Sequence, residues 1–146
     1  MIVSESSMAE SRSPSLLVVE DETDMCILMH DLLDGEGLEV VCATSDAAAY
    51  RALPGRKFSA LLVDINLGRG TTGFDVARHA RRLDSKVAVI YVTGGPPEAV
   101  ALHGVRGAAL VTKPFDRDDL VGALEEVGVL GQRTRDGDES TGAPVL

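Results

Sequence analysis

Apolar residues fall along this chain in five short runs, separated by stretches in which they recur every three or four positions. The runs are nearly continuous in Val, Leu, Ile and Ala, which is typical of strands covered on both faces of a parallel sheet. They predict strands over residues 16–20, 38–43, 58–63, 87–92 and 108–112.

The stretches between the strands predict helices, and several begin at residues that favour a helix N-terminus. Ser45 and Asp116 occupy N-cap positions. The segment Thr72-Gly73-Phe74-Asp75 has the spacing of a capping box, with Asp in place of the usual Glu. In the first helix, we expect Ile27, Leu28, Leu32 and their apolar neighbours to face the core. The predicted helices cover about 24–34, 46–53, 72–83, 96–104 and 117–130.

Five strands alternating with five helices predict an α/β fold with a doubly wound parallel sheet. In such a sheet the carboxyl ends of the strands lie at one edge, where ligands bind. Four of the predicted strands end in polar residues with distinct chemistry. These residues are Glu20-Asp21-Glu22, Asp64, Thr93-Gly94 and Lys113-Pro114.

The four strand ends together have the composition of a phosphoryl-transfer site. Adjacent carboxylates at Glu20 and Asp21, facing Asp64, repel one another unless a cation lies among them, and Mg²⁺ prefers such oxygen ligands. Asp64 is the candidate nucleophile, because carboxylates form aspartyl-phosphates. Thr93 supplies a hydroxyl donor, and Lys113 supplies a fixed positive charge.

These strand ends, in this order, resemble the response-regulator receiver domains of two-component signalling. The resemblance covers about residues 15–130 and implies a flavodoxin-like five-stranded sheet in the order 2-1-3-4-5. The matching segments are Leu17-Val18-Val19-Glu20-Asp21-Glu22, Leu62-Val63-Asp64-Ile65-Asn66-Leu67, Val92-Thr93-Gly94 and Lys113-Pro114-Phe115.

The resemblance implies a role for each strand end. Asp64 would accept a phosphoryl group from a histidine kinase or a histidine phosphotransfer protein. Mg²⁺ would be held by Glu20, Asp21, Asp64 and the backbone carbonyl of Asn66. The phosphoryl oxygens would be bound by Thr93, Gly94 and Lys113. The Lys113–Pro114 peptide bond is expected to be cis, as in many relatives.

One position departs from the family pattern. Receivers usually carry an aromatic switch residue three positions before the lysine, and here that position is Leu110. Strand alternation instead places Tyr91 on the same face as Thr93. The segment from Tyr91 to Gly95 is similar to the Phe-Ala-Thr-Gly pattern of a subgroup of stand-alone receivers. We therefore expect Thr93, Tyr91 and Leu110 to share the switch.

Three other functions fit these residues less well. An aspartyl-nucleophile phosphohydrolase of the haloacid-dehalogenase type needs a second acid two residues after the nucleophile, where this chain has Asn66. A flavin binder needs a phosphate loop after the first strand, where Glu20-Asp21-Glu22 would repel the phosphate. A receiver-like scaffold that is never phosphorylated would have no need of the complete set of acid, Thr and Lys.

Composition narrows the class of protein further. The 146 residues carry a net charge of −9, which disfavours DNA binding, and no segment approaches the roughly 18 apolar residues of a membrane span. We expect a cytoplasmic protein with flexible tails over 1–14 and 131–146, with Met1 and Met8 as alternative starts. No output domain is expected, so an unidentified downstream protein would receive the signal.

Three smaller features complete the expectations from sequence. Cys26 and Cys42 lie in apolar stretches and are expected to be buried, unpaired thiols. The arginines at 78, 81 and 82 are expected to form a solvated helix face. The Gly68-Arg69-Gly70 segment is expected to be a mobile loop.

Overall fold

The computed structural model describes residues 13–67 and 72–131. The two predicted tails, apart from Ser13, Pro14 and Gly131, and the predicted loop at 68–70 lie outside the described residues. Within the described residues, no helix is long and apolar enough to cross a membrane.

Five strands form one parallel sheet. Their order is β2-β1-β3-β4-β5, as the sequence predicted. Their bounds fall within two residues of those expected from the apolar runs. The strands are β1 (Ser15–Val19), β2 (Glu39–Ala43), β3 (Ala60–Asp64), β4 (Ala88–Thr93) and β5 (Ala109–Thr112).

Five helices connect and cover the strands, and a short 3₁₀ turn at Leu53–Gly55 follows the second. The predicted caps are present: Ser45 Oγ accepts from Ala48 N–H, and both Thr72 and Asp116 form full capping boxes. The helices are α1 (Thr23–Leu32), α2 (Asp46–Ala52), α3 (Gly73–Leu83), α4 (Glu98–His103) and α5 (Arg117–Glu126).

The sheet separates two apolar cores, so the fold has three layers. Helices α2, α3 and α4 pack on the core that contains Leu61, Val63 and Tyr91. Helices α1 and α5 pack on the core that contains Leu62 and Val111. Both faces of β3 and β4 are therefore covered, which explains why those strands are continuous apolar runs.

The predicted apolar face of α1 is wrong at Ile27 and Leu28, although Leu32 packs against the core as expected. Ile27 is 54% exposed and Leu28 is 42% exposed, whereas Cys26 and Met29 are buried. All five positions from 25 to 29 are apolar, so periodicity alone does not define a face. The packing of α1 against the sheet selects one.

The last helix is shorter than predicted. It ends at Glu126 instead of continuing to residue 130. Gly128 adopts a positive φ of 84°, and its N–H binds the carbonyl of Glu125. A glycine in this left-handed conformation closes a helix, and that signal was visible in the sequence.

The expectation of buried, unpaired cysteines is also wrong, except that Cys26 is buried. Cys26 and Cys42 form a disulfide between α1 and β2, and Cys42 is exposed. Cys42 is in register with Val18, whose side chain belongs to the core beneath α1. The pairing depends on this tertiary contact, which cannot be inferred from a separation of 16 residues.

Candidate functional site

The carboxyl ends of β1, β3 and β5 converge on one open cleft of about 420 Å³. Asp64 is the last residue of β3, and Lys113 directly follows β5. The cleft is lined by Glu20, Asp21, Glu22, Asp64, Asn66 and Lys113. The structure thus brings together the acids, the lysine and Asn66 that the sequence singled out.

Asp64 is buried and held at both carboxylate oxygens. Oδ2 accepts a hydrogen bond of 2.9 Å from Lys113 Nζ, and Oδ1 accepts one of 2.9 Å from the backbone N–H of Asn66. Only 4% of the residue is exposed. Hydrogen bonds at both oxygens fix the orientation of the carboxylate.

Three carboxylates face one another in the cleft. Glu20, Asp21 and Asp64 each offer an oxygen, and these oxygens lie within 4.8 Å of one another. Burial raises the pKa of Glu20 to about 8, and the negative charge of Asp64 adds to the shift. The carboxylates are therefore short of positive charge.

One oxygen in this group lacks a partner. Glu20 Oε2 accepts from Glu22 N–H at 3.2 Å, but Oε1 is the one buried side-chain polar atom of the described residues with no hydrogen bond. Its nearest cation, Lys113 Nζ, lies 3.8 Å away. A buried, unsatisfied carboxylate oxygen beside two further carboxylates is what a hard divalent cation such as Mg²⁺ requires, so the residues fit this ion.

Lys113 is the cation of the cleft. Burial alone would lower its pKa, but the hydrogen bond and charge of Asp64 outweigh burial, so the pKa is raised and the ammonium form is favoured. Its backbone N–H binds the carbonyl of Thr93 at 2.8 Å, which ties it to the end of β4. The Lys113–Pro114 bond is cis, as expected.

Thr93 and Gly94 lie at the end of β4, next to the cleft. Thr93 is 8% exposed, and its Oγ accepts from Gly95 N–H at 2.9 Å. This bond leaves the hydroxyl proton free to be donated elsewhere. A Cβ at Gly94 would lie 3.9 Å from Cβ and Cδ of Lys113, so Gly94 packs along the lysine side chain.

Gly73 is a positioning residue that the sequence reasoning missed. A Cβ at this position would lie 2.3 Å from the carbonyl oxygen of Asp64, a distance that no side chain can adopt. The Gly73 N–H also donates to the carbonyl of Ile65 at 3.0 Å. Gly73 therefore lets α3 begin directly against the backbone of Asp64. A glycine inside the capping box was the available signal.

The predicted switch residues lie together on the face that carries α4. Tyr91 is fully buried and stands in register with Leu110 on the neighbouring strand. Its hydroxyl oxygen accepts from Val105 N–H at 3.0 Å, and burial raises the pKa of Tyr91. A Cβ at Gly104 would lie 3.0 Å from the Tyr91 ring. Tyr91 therefore holds the C-terminal end of α4.

Two of the three arginines predicted to be solvated also bind the backbone at the C-terminal end of α4 and just after it. Arg78 Nη1 donates to the carbonyl of His103 at 3.0 Å, and Arg81 Nη1 donates to the carbonyl of Arg106 at 2.9 Å. Arg82 is exposed, as expected. Arg78 is exposed as well, whereas the expectation fails for Arg81, which is half-buried and also donates from Nε to the carbonyl of Val87 at 2.7 Å.

Comparison with known proteins agrees with this geometry. The family model described as the response regulator receiver domain matches residues 16–125. The response regulator receiver protein CpdR of Brucella abortus is 33% identical over 116 residues, which cover 77% of this chain and 94% of CpdR. The aerobic respiration control protein ArcA of Escherichia coli K12 is 31% identical over 75% of this chain, but the match covers only 46% of ArcA.

Solved structures have the same fold. A response regulator receiver protein from Sinorhizobium medicae superposes with a TM-score of 0.75 at 26% identity, covering 79% of this chain and 94% of that one. The response regulator protein TrrA of Thermotoga maritima, solved in complex with Mg²⁺ and BeF, has a TM-score of 0.70 at 24% identity, covering 78% of this chain and 98% of TrrA.

Proposed function

The chain belongs to the response regulator receiver domain family, and from that premise we propose that Asp64 accepts a phosphoryl group from a histidine kinase or a histidine phosphotransfer protein. The observation that carries the proposal is the state of this carboxylate. It is buried, held by Lys113 and Asn66, and open to the acidic cleft.

The transfer step follows from that arrangement. A carboxylate oxygen of Asp64 forms a bond to phosphorus while the phosphorus–nitrogen bond to the donor histidine breaks, and the imidazole nitrogen keeps the electron pair. The Lys113 ammonium, 2.9 Å from Oδ2, offsets the negative charge of the incoming group. The hydroxyl of Thr93 and the backbone at Gly94 bind the phosphoryl oxygens from the end of β4.

Mg²⁺ is the proposed cofactor. Glu20, Asp21, Asp64 and the backbone carbonyl of Asn66 would hold it, and the unpaired Glu20 Oε1 supports this assignment. The ion would supply neutralisation of the charge that builds up between the carboxylates and the phosphoryl group.

The phosphorylated domain has two proposed roles in signalling. The domain acts in the cytoplasm, with at most Mg²⁺-dependent self-phosphorylation and autodephosphorylation of its own. It transmits the signal by a conformational change to a downstream protein, or it works as a phosphate relay or sink. The extent of the match to CpdR supports a stand-alone receiver. The acidic net charge supports a protein partner rather than DNA.

Phosphorylation of Asp64 is tested by intact mass. The chain is incubated with acetyl phosphate and Mg²⁺, and we expect one phosphoryl adduct. The Asp64→Asn variant should form none, because an amide oxygen is a poor nucleophile. The Asp34→Asn variant is the matched control, since Asp34 is an exposed acid at the end of α1.

The outcomes are distinct. An undiminished adduct on Asp64→Asn would place the acceptor elsewhere. No adduct on the wild type, with acetyl phosphate or with any histidine kinase of the source organism, would favour a scaffold that is never phosphorylated. Turnover of a phosphate ester would favour a phosphohydrolase.

A further inference from the structure

The disulfide between Cys26 and Cys42 lies outside the phosphoacceptor cleft and joins two different elements. Cys26 is on α1 and Cys42 is on β2, with their Cα atoms 6.2 Å apart. This separation lies within the ordinary range for a disulfide. Cys42 Sγ also lies 3.6 Å from the carbonyl oxygen of Cys26, an acceptor that a reduced thiol can use. The site therefore accommodates both redox forms.

The two sulfurs differ in access. Cys26 is 2% exposed, on the side of α1 that faces the sheet. Cys42 is exposed, and β2 is an edge strand of the sheet. Such asymmetry is what thiol–disulfide exchange needs: an outer cysteine that an external disulfide can reach and an inner cysteine that resolves the mixed disulfide.

The cysteines also bracket the acidic loop that follows β1. On one side, Cys26 N–H donates to the carbonyl of Glu22 at 3.1 Å. On the other, the carbonyl of Ala43, next to Cys42, accepts from Glu20 N–H at 3.0 Å. The loop itself is closed by the bond from Glu22 N–H to Glu20 Oε2. The disulfide between Cys26 and Cys42 therefore holds the two backbone hydrogen bonds at the ends of the loop at a fixed distance from each other.

We propose that Cys26 and Cys42 form a thiol–disulfide exchange site for small-molecule disulfides, and that its oxidation stiffens the acidic loop at residues 20–22. The Cys42 thiolate attacks one sulfur of the small disulfide and releases one thiolate. The Cys26 thiolate then attacks Cys42 Sγ and releases the second. The protein dithiol is oxidised, the small disulfide is reduced to two thiols, and the cysteine protons pass to the released thiolates.

The exchange chemistry is tested with glutathione disulfide on the full chain after reduction and removal of the reductant. We expect the wild type to lose the mass of two hydrogen atoms and to retain no glutathione. The Cys26→Ser variant should retain one glutathione on Cys42, because no resolving thiol remains. The Cys42→Ser variant should react more slowly by a factor of roughly ten or greater, because Cys26 is buried.

Two results would overturn this chemistry. One is a wild type that stays reduced or keeps a stable glutathione adduct. The other is equal reaction rates for the two single variants, which would mean that the sulfurs do not differ in access.

The effect on the acidic loop is tested on the wild type alone, so it does not depend on the folding of a variant or on phosphoryl transfer. We expect the backbone amides of Glu20, Glu22 and Cys26 to exchange with deuterium roughly tenfold more slowly in the oxidised form. The Ile65 amide, bound to Val92 on the far side of β3, is the control and should change little. Equal exchange of the loop amides in both forms would show that the disulfide does not stiffen the loop.

Discussion

At the scale of single residues, the cleft is a balance between three carboxylates and one ammonium. Lys113 lies 2.9 Å from Asp64 and 3.8 Å from Glu20, so it compensates two of the three acids. A divalent cation in the same cleft competes with Lys113 for those oxygens. Under the proposed function, the lysine would both prepare Asp64 for an anionic phosphoryl group and weaken the binding of a metal ion.

We expect Lys113→Met to bind Mg²⁺ more tightly than the wild type, by on the order of tenfold, because a repelling charge is removed while the acids remain. The same variant should accept the phosphoryl group poorly from acetyl phosphate. Calorimetric titration with MgCl₂ measures the affinity. Lys86→Met, which removes an exposed lysine outside the cleft, should match the wild type. Weaker Mg²⁺ binding by Lys113→Met would contradict this account.

At the scale of elements, the N-terminus of α3 supports the backbone of Asp64. The capping box of Thr72 and Asp75 fixes where the helix begins, and Gly73 then packs on the backbone of Asp64. The pKa of Asp75 is lowered, first by the backbone N–H of Thr72 and then by its hydroxyl and by Arg78. Loss of this cap would loosen the support beneath Asp64.

We expect Asp75→Asn to lower the free energy of unfolding at pH 7 by only about 0.5 kcal/mol, because the Asp75 side chain is 45% exposed and its charge is screened. A carboxyl whose pKa is lowered by folding stabilises the protein above its unfolded pKa of about 3.9. That contribution is lost as the pH falls through the lower folded pKa. The gap between wild type and variant in urea denaturation should therefore close below about pH 4.

The control for the cap is Asp34→Asn, at the opposite end of a helix. Asp34 follows α1, where a negative charge is unfavourable, so this variant should not lose stability at pH 7. A gap for Asp75→Asn that persists unchanged at pH 3 would mean that the carboxylate charge does not contribute.

The second element of interest is α4, because it is held by contacts that can change. Tyr91 binds the backbone at Val105, and Arg78 binds the carbonyl of His103. The helix is only six residues long, and none of them is buried. We propose that the Tyr91 contact is the route from Thr93 to α4, because Leu110 cannot make the hydrogen bond of the usual aromatic switch.

We expect beryllofluoride, a phosphoryl mimic, to shift the amide signals of residues 91–104. Thr93 moves toward the bound group, the Gly94–Gly95 backbone follows easily, and α4 is redirected. Tyr91→Phe removes the acceptor for Val105 N–H and should reduce the shift at the end of α4. Tyr50→Phe is the control. Unchanged signals at 91–104, with shifts in distant elements, would rule out this route.

At the scale of the whole molecule, the acidic cleft is the least satisfied part of a well-packed domain. The chain carries a net charge of −9, and three acids converge where positive charge is scarce. A cation that binds only the folded state stabilises it by mass action.

We therefore expect millimolar Mg²⁺ to raise the melting temperature of the wild type, and the effect to be weaker in Asp21→Asn, which removes one of the three acids. Thermal unfolding with and without MgCl₂ measures the shift. Asp24→Asn, an exposed acid in the first turn of α1, is the matched control and should respond like the wild type. An equal response from Asp21→Asn would place the cation elsewhere.

The sequence by itself determined the order of elements and the chemistry at the strand ends. Apolar runs of Val, Leu and Ile define buried strands without reference to any partner, and polar residues directly after them must lie at one edge of a parallel sheet. The predicted convergence of Glu20, Asp21, Asp64 and Lys113 was confirmed for this reason, whereas the confirmed sheet order had been implied by the family resemblance.

The tertiary structure alone decided the contacts between elements. Which side of α1 is buried, the pairing of Cys26 with Cys42, and the close approach of Gly73 to Asp64 each depend on where a helix rests on the sheet. Local periodicity carries no information about that placement when every neighbouring residue is apolar, or when the partners are 16 residues apart. Packing between distant segments supplied what the local pattern could not.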